Sequence, residues 1–247
     1  MEECGTGGGV MEGYGIEGYV MEGCGTEGSP MPALRDVGRP YPGLGRRLPV
    51  YRFVKRAFDI AASLLGLAAL SPVFLAAALA VAMEDGFPVL YRQERNGLHG
   101  RVFRMYKFRS MCRDAEKMRQ SLLEKNELDG PAFKMRNDPR RTQVGKFLRR
   151  TRIDELPQLV NVLKGEMSLV GPRPLVTYET AQCTPRQRQR LSVRPGLTCY
   201  WQCSGRGGMP FNEWMELDLR YIEEMSIGTD FRILCRTLLC LLRCDAY

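Results

Sequence analysis

The sequence predicts an α+β fold, mostly helical with a few short strands, carrying a re-entrant membrane helix near its N-terminus and interfacial amphipathic helices. Three observations predict it. An apolar run from Ala57 to Met83 is broken by Ser71-Pro72. Short alternating stretches flank Asn96-Gly97, and Leu156, Leu159, Val160, Leu163 and Met167 recur at helical spacing.

Composition sets the bounds. The 247 residues allow one large domain, or one domain and a tail. An apolar fraction of 44% is enough for a core, and 36 basic against 28 acidic residues leave a net charge of +8. That excess points to an anionic partner such as lipid head groups, diphosphates or nucleic acid, without choosing among them. Nine cysteines with no C-x-x-C pair, and a single histidine (His99) distant from them in sequence, disfavour a zinc site. Reduced thiols serving as small apolar side chains in a cytosolic compartment are the simpler reading.

Residues 1–30 repeat with a period of ten, as MEECGTGGGV, MEGYGIEGYV and MEGCGTEGSP. Glycine this dense does not repay the entropy of ordering, so residues 1–50, including a Pro- and Gly-rich linker from Met31, are expected to be disordered. The folded, membrane-anchored domain is expected over 51–247.

The apolar segment 57–83 is long enough to span a bilayer, but Pro72 removes a helix hydrogen bond near its middle. Each limb would rise only ~18–21 Å against a hydrocarbon core of ~30 Å. Basic residues crowd both flanks: Arg46, Arg47, Arg52, Lys55 and Arg56 before it, and Arg92, Arg95, Arg101, Arg104, Lys107 and Arg109 after it. The positive-inside rule then places both flanks in the cytoplasm. A bent, re-entrant segment satisfies both facts; a simple span and a buried core helix are the alternatives, in that order.

Strands are expected over Pro88–Arg92 and Arg101–Met111, joined through Asn96-Gly97. At the C-terminus, Thr229 to Arg243 carries Arg232, Arg236 and Arg243 on one face and Phe231, Leu234, Leu238 and Leu242 largely on the other. Such a helix lies in a membrane interface or packs on the core with its arginines solvated.

The chemistry concentrates in Gly145–Leu175. Asp154 and Glu155 fall at the start of the periodic helix, where Pro157 is tolerated and where the helix dipole favours carboxylates. Adjacent helical residues point about 100° apart. One carboxylate could attack phosphorus while the other holds a divalent cation; the competing reading is that both cap a helix. A basic run (Arg136, Arg140, Arg141, Lys146, Arg149, Arg150 and Arg152) surrounds them. In Gly171-Pro172-Arg173-Pro174, two prolines stiffen the backbone around one guanidinium, which suits phosphate as well as a plain turn.

YKFRSM (Tyr106–Met111), RRTRIDELPQLVNVLKGEMSLVGPRPL (Arg149–Leu175) and RPGLT (Arg194–Thr198) resemble the bacterial sugar transferases, the monotopic polyprenyl-phosphate phosphoglycosyl transferases. The resemblance runs from about Arg52 to Tyr247, includes the Ser-Pro break, and looks like a minimal catalytic core. It implies a UDP-sugar and Mg²⁺ at the cytoplasmic face of the bacterial inner membrane. Asp154 would attack the phosphorus next to the sugar and expel UMP. Polyprenyl phosphate would then take the phosphosugar, giving a polyprenyl-diphosphate sugar for polysaccharide or glycoconjugate synthesis. Glu155 matches the metal-binding acid, and Arg149, Arg173, Lys107 and Arg194 match phosphate-binding positions; Asp218 and Asp230 match accessory acidic positions. The partners implied are UDP-sugar, polyprenyl phosphate and membrane lipid, with no nucleic acid. Cys199 and Cys203 depart from the family's Gly and Val, and if that glycine needs positive φ, Cys199 would strain its loop.

Overall fold

A computed structural model describes residues 48–122, 126, 135, 137–203 and 209–242. These belong to one compact unit, Arg35–Tyr247. The decamer repeat and the rest of residues 1–47 lie outside the described residues, and with them the expectation of disorder. Helices dominate, with two small two-stranded sheets, so the α+β expectation holds.

Helix α1 (Leu48–Ala69) begins inside the expected linker and meets α2 (Ser71–Asp85) at a 61° bend. Among the described residues no single helix is long and apolar enough to cross a membrane; this bent pair reaches that length and composition only when its two limbs are taken together. The bend follows from chemistry at two residues. Pro72 has no N–H for the Ala68 carbonyl, and the Ser71 hydroxyl donates to that carbonyl instead at 2.8 Å. The kink is thus satisfied locally.

α1 presents a polar and small stripe to the protein. Arg56, Asp59, Ser63 and Gly66 share one face. Arg56 donates from Nη1 to the Val162 carbonyl at 2.5 Å and from Nη2 to that of Leu163 at 2.7 Å. Asp59 accepts from the Leu169 amide at 3.0 Å, and a Cβ at Gly66 would lie 3.2 Å from Leu159. Phe53, Phe58, Leu64, Leu65, Leu75, Leu79 and Met83 point outward and stay exposed. The apolar surface faces away from the protein, the reverse of a soluble helix. Lys55 and Arg56 are turned inward, so the exposed basic flank is carried by Arg52, Arg92, Arg101 and Arg104.

Strands β1 (Leu90–Asn96) and β2 (Val102–Phe108) form an antiparallel hairpin, with Leu90 opposite Phe108 and Asn96 opposite Val102. The connection is longer than the expected Asn-Gly turn. Asn96 is still in register, and a short 3₁₀ turn, Leu98–Gly100, with His99 at φ 55°, closes the loop. Helices α3 (Ala115–Leu122), α4 (Gln143–Arg150) and α5 (Gln158–Lys164) follow. Glu84 at the end of α2 caps α4, accepting from Gln143 N at 2.7 Å and Val144 N at 3.0 Å.

Asn161 of α5 is fully buried and works as a substitute strand for β2. It accepts from Tyr106 N at 3.0 Å and donates to the Arg104 carbonyl at 2.8 Å. Gly165, in the left-handed region at φ 81°, ends α5 before the expected pattern reaches Met167, which is buried in the following turn.

Strand β3 (Ser168–Val170) pairs in parallel with β4 (Gly196–Thr198). The helices between them are α6 (Thr177–Ala181) and α7 (Pro185–Arg188); after β4 come α8 (Tyr200–Cys203), α9 (Phe211–Glu224) and α10 (Ile227–Leu242). Val170, Cys199, Leu219, Tyr221, Ile222 and Ile233 form one buried cluster. Cys199 is not among the residues with positive φ, so the feared strain does not arise; it is a small core side chain. α10 enters this core through Ile233, and both its arginines and its apolar Ile227, Phe231, Leu238 and Leu239 face outward.

Candidate active site

Asp154 and Glu155 do not lie in the first turn of α5. They occupy a separate 3₁₀ turn, Ile153–Glu155, with Pro157 at the N-cap position of the helix that follows. Arg152 causes the separation. It adopts φ 57° and ψ 15°, the left-handed region, and so turns the chain sharply after α4. A non-glycine residue held there is strained by about 1–2 kcal/mol, offset by the packing around it. A seven-residue helix also supplies little dipole, so the acids depend on side-chain cations for compensation.

Those cations come from three elements. Lys107 on β2 donates from Nζ to Glu155 Oε1 at 2.8 Å, and Arg173 reaches the same oxygen from its loop at 3.4 Å. Arg149 at the end of α4 donates from Nε to the Ser110 hydroxyl at 2.7 Å and lies in the field of Asp154. Arg150 is solvent-exposed. Burial raises the Glu155 carboxyl, but Lys107 and then Arg173 outweigh it and hold the group well below the usual carboxylate range.

Asp154 differs. Burial pushes it up, Glu155 adds to the rise, and Lys107, Arg149 and Arg173 offset only part of it, leaving a value of about 6. Among the described residues no hydrogen bond reaches the carboxylate of Asp154, a residue 6% exposed. It is a buried acid in a cationic field with its oxygens unclaimed.

The Arg173 loop is fixed by backbone contact. A Cβ at Gly196 would collide with the Gly171 N, so the Gly-Pro-Arg-Pro and Arg-Pro-Gly segments meet main chain to main chain. Arg95 donates to the Pro174 carbonyl at 2.9 Å, and Arg190 to that of Arg173 at 2.5 Å. Asp218 sits behind Arg190, joined to it at 2.5 Å, and burial pushes its carboxyl up to about 6.

The other candidates lie elsewhere. Arg194 donates to the Gly165 carbonyl at 2.9 Å, at the end of α5. Asp230 joins α1, α9 and α10, accepting from Tyr51 at 2.8 Å, Lys55 at 2.7 Å and Tyr221 at 2.8 Å. Sequence reasoning missed Ser110, Arg95, Arg190 and Asn161. Ser110 stood inside YKFRSM and Asn161 inside the Arg149–Leu175 block, Arg95 was read only as part of the basic flank, and Arg190 carries no local signal.

Among the described residues no group of three or more His, Cys, Asp or Glu side chains is placed to hold a metal ion, so the donors here amount to two adjacent carboxylates. Glu155 keeps Oε2 free of hydrogen bonds to the described residues, and Asp154 is unbonded beside it. Mg²⁺ commonly takes one or two carboxylates and completes its shell with substrate phosphates and water.

Residues 50–244, which include every residue of this site, match the family described as bacterial sugar transferase. The chain belongs to that family. It is 46% identical over 187 residues to the galactosyl transferase CpsE of Streptococcus agalactiae serotype III (strain NEM316), covering 74% of this chain and 41% of the relative. It is 40% identical over 198 residues to the undecaprenyl-phosphate galactose phosphotransferase of Salmonella typhimurium, covering 78% and 41%. With the uncharacterized sugar transferase EpsL of Bacillus subtilis it shares 38% over 184 residues, 74% of this chain and 85% of the relative. The chain therefore spans about two fifths of the first two relatives' length and most of the third's.

Proposed function

We propose that the chain transfers a sugar 1-phosphate from a UDP-sugar to polyprenyl phosphate, through a phosphosugar carried on Asp154. The observation that carries this reading is the split between two adjacent acids: Glu155 is clamped by Lys107 and Arg173, while Asp154 is buried, unbonded and raised to about 6.

An Asp154 oxygen attacks the phosphorus attached to the sugar. The P–O–P bridge breaks and UMP leaves with the bridging oxygen. An oxygen of polyprenyl phosphate then attacks the same phosphorus and releases the Asp154 carboxylate, giving the polyprenyl-diphosphate sugar. Lys107, Arg173 and Arg149 offset the negative charge that an anionic nucleophile meets at a diphosphate. Mg²⁺, held by Glu155 with the substrate's phosphates, would supply further neutralisation.

A lipid acceptor needs a membrane-seated enzyme. The bent α1–α2 pair, with its polar stripe on the protein and its apolar side chains outward, fits a re-entrant anchor. The outward apolar and basic residues of α10 suit the interface. Exposed Arg52, Arg92, Arg101 and Arg104 favour the cytoplasmic face.

The test is a panel of UDP-sugars given to the protein without polyprenyl phosphate. The expected result is stoichiometric UMP release and one phosphosugar mass on the peptide holding Asp154, caught by rapid quenching in mild acid. An adduct on Glu155 would reverse the roles of the pair. Rapid turnover with acceptor and no adduct on any peptide would mean direct attack by polyprenyl phosphate.

A further inference from the structure

The chain's two tryptophans occupy one stack, and the stack ends on the site. Trp201 of α8 lies against Trp214 of α9 with ring centroids 4.9 Å apart and planes inclined by 23°. The Arg173 guanidinium sits 5.7 Å from the Trp201 centroid, and the Arg190 guanidinium sits 5.7 Å from the Trp214 centroid. Arg190 closes the ladder, because its Nη2 also donates to the Arg173 carbonyl and to Asp218. Arg173 is thereby gripped at both ends: its backbone by Arg190 and its guanidinium by the Trp201 ring.

The geometry points to Trp201 as a positioning residue for Arg173, backed by Trp214, Arg190 and Asp218. This inference rests on the reaction proposed above. Arginine is long, and a guanidinium free to swing would lose much of its value beside a phosphate. A cation over an aromatic face is attracted to it, more strongly when partly desolvated, and Arg173 keeps its Nη1 directed at Glu155. The far end of the ladder is built for orientation rather than stability. Arg190 Nε and Asp218 Oδ1 are buried without hydrogen-bond partners among the described residues. A buried ion pair left so incomplete adds little stability, yet it holds Arg190 against both Trp214 and the Arg173 carbonyl.

Trp201→Met retains apolar bulk and removes the π face, and Trp201→Phe restores a smaller one. Single-turnover UMP release from a UDP-sugar is expected to slow about tenfold in the Met variant and no more than about threefold in the Phe variant, with the circular dichroism spectrum of the folded chain retained in both. In an Arg173→Ala background, Trp201→Met should change the rate no further, because the ring acts through the guanidinium. Equal loss in both backgrounds would overturn the inference, as would a Phe variant as slow as Met.

A second measurement needs no turnover. Phenylglyoxal modification of Arg173, followed by peptide mass, is expected to be several-fold faster in Trp201→Met than in the intact chain, with Trp201→Phe between them. An unchanged modification rate would refute the positioning role even if every UDP-sugar fails to react. UMP release absent from the intact chain, beside faster modification in Trp201→Met, would reject the reaction and retain the contact.

Discussion

Asp154 and Asp230 are both buried carboxylates, 6% and 9% exposed, and they are opposite in kind. Both oxygens of Asp230 are claimed, by Tyr51 and Lys55 from α1 and by Tyr221 from α9. Asp154 has three cations in its field and no hydrogen bond from the described residues. A carboxylate whose lone pairs are satisfied holds elements together and has none left to react. One that is buried without bonds carries the cost of desolvation and keeps its oxygens unclaimed, as the attack on phosphorus proposed above requires.

The largest effect is expected from exchanging each acid for its amide. Asp154→Asn should reduce adduct and turnover to background, because an amide is a far weaker nucleophile. Asp230→Asn should leave adduct formation within about tenfold but cost about 3 kcal/mol of stability in denaturant titration, by leaving Lys55 unpaired. A folded Asp230→Asn protein that forms no adduct would break the distinction.

Acidity sharpens the comparison next. In the proposed reaction Asp154 must be ionised to attack, so UMP release by the free enzyme should fall with a one-proton slope as pH drops through about 6. Lys107 is the largest influence lowering that value, so Lys107→Met should move the inflection to higher pH. Stability runs the other way. The folded chain holds the Asp154 proton more tightly than the unfolded chain, whose value is near ~3.9. Its stabilising contribution is therefore greatest below that pH and is lost as pH rises through about 6. Asp154→Asn should accordingly melt higher than the intact protein at pH 8.

Smaller effects test the supports. Arg152→Gly relieves a left-handed residue and should stabilise the fold by roughly 1 kcal/mol in thermal melts. Ser71→Ala leaves the Ala68 carbonyl at the kink without its donor and should cost about 1 kcal/mol if protein packing or lipid keeps water from the bend. No measurable loss would mean that water already reaches it.

The acidic pair, Arg149, Arg173 and Lys107 were legible because they lie in contiguous motifs, and the structure brings all five together. The bend was legible from Pro72, whose missing donor is a local fact. The 3₁₀ turn holding the acids was not, since it depends on Arg152 accepting a left-handed conformation that its residue type disfavours. Arg194 shares a motif with the loop beside the site, yet its guanidinium goes to the end of α5. The amphipathic reading of α10 divided basic from apolar faces, whereas the core takes a third face, through Ile233.

By itself, the sequence determined which residues could carry the chemistry and where the apolar segment breaks, because charge, π faces and the missing proline N–H are properties of single side chains. Only the tertiary structure decided what surrounds each acid. Asp154, Asp218 and Asp230 are the same carboxylate, distinguished by partners that arrive from far along the chain. Cations in the field of one leave it unbonded, Arg190 claims a single oxygen of the next, and Tyr51, Lys55 and Tyr221 saturate the last.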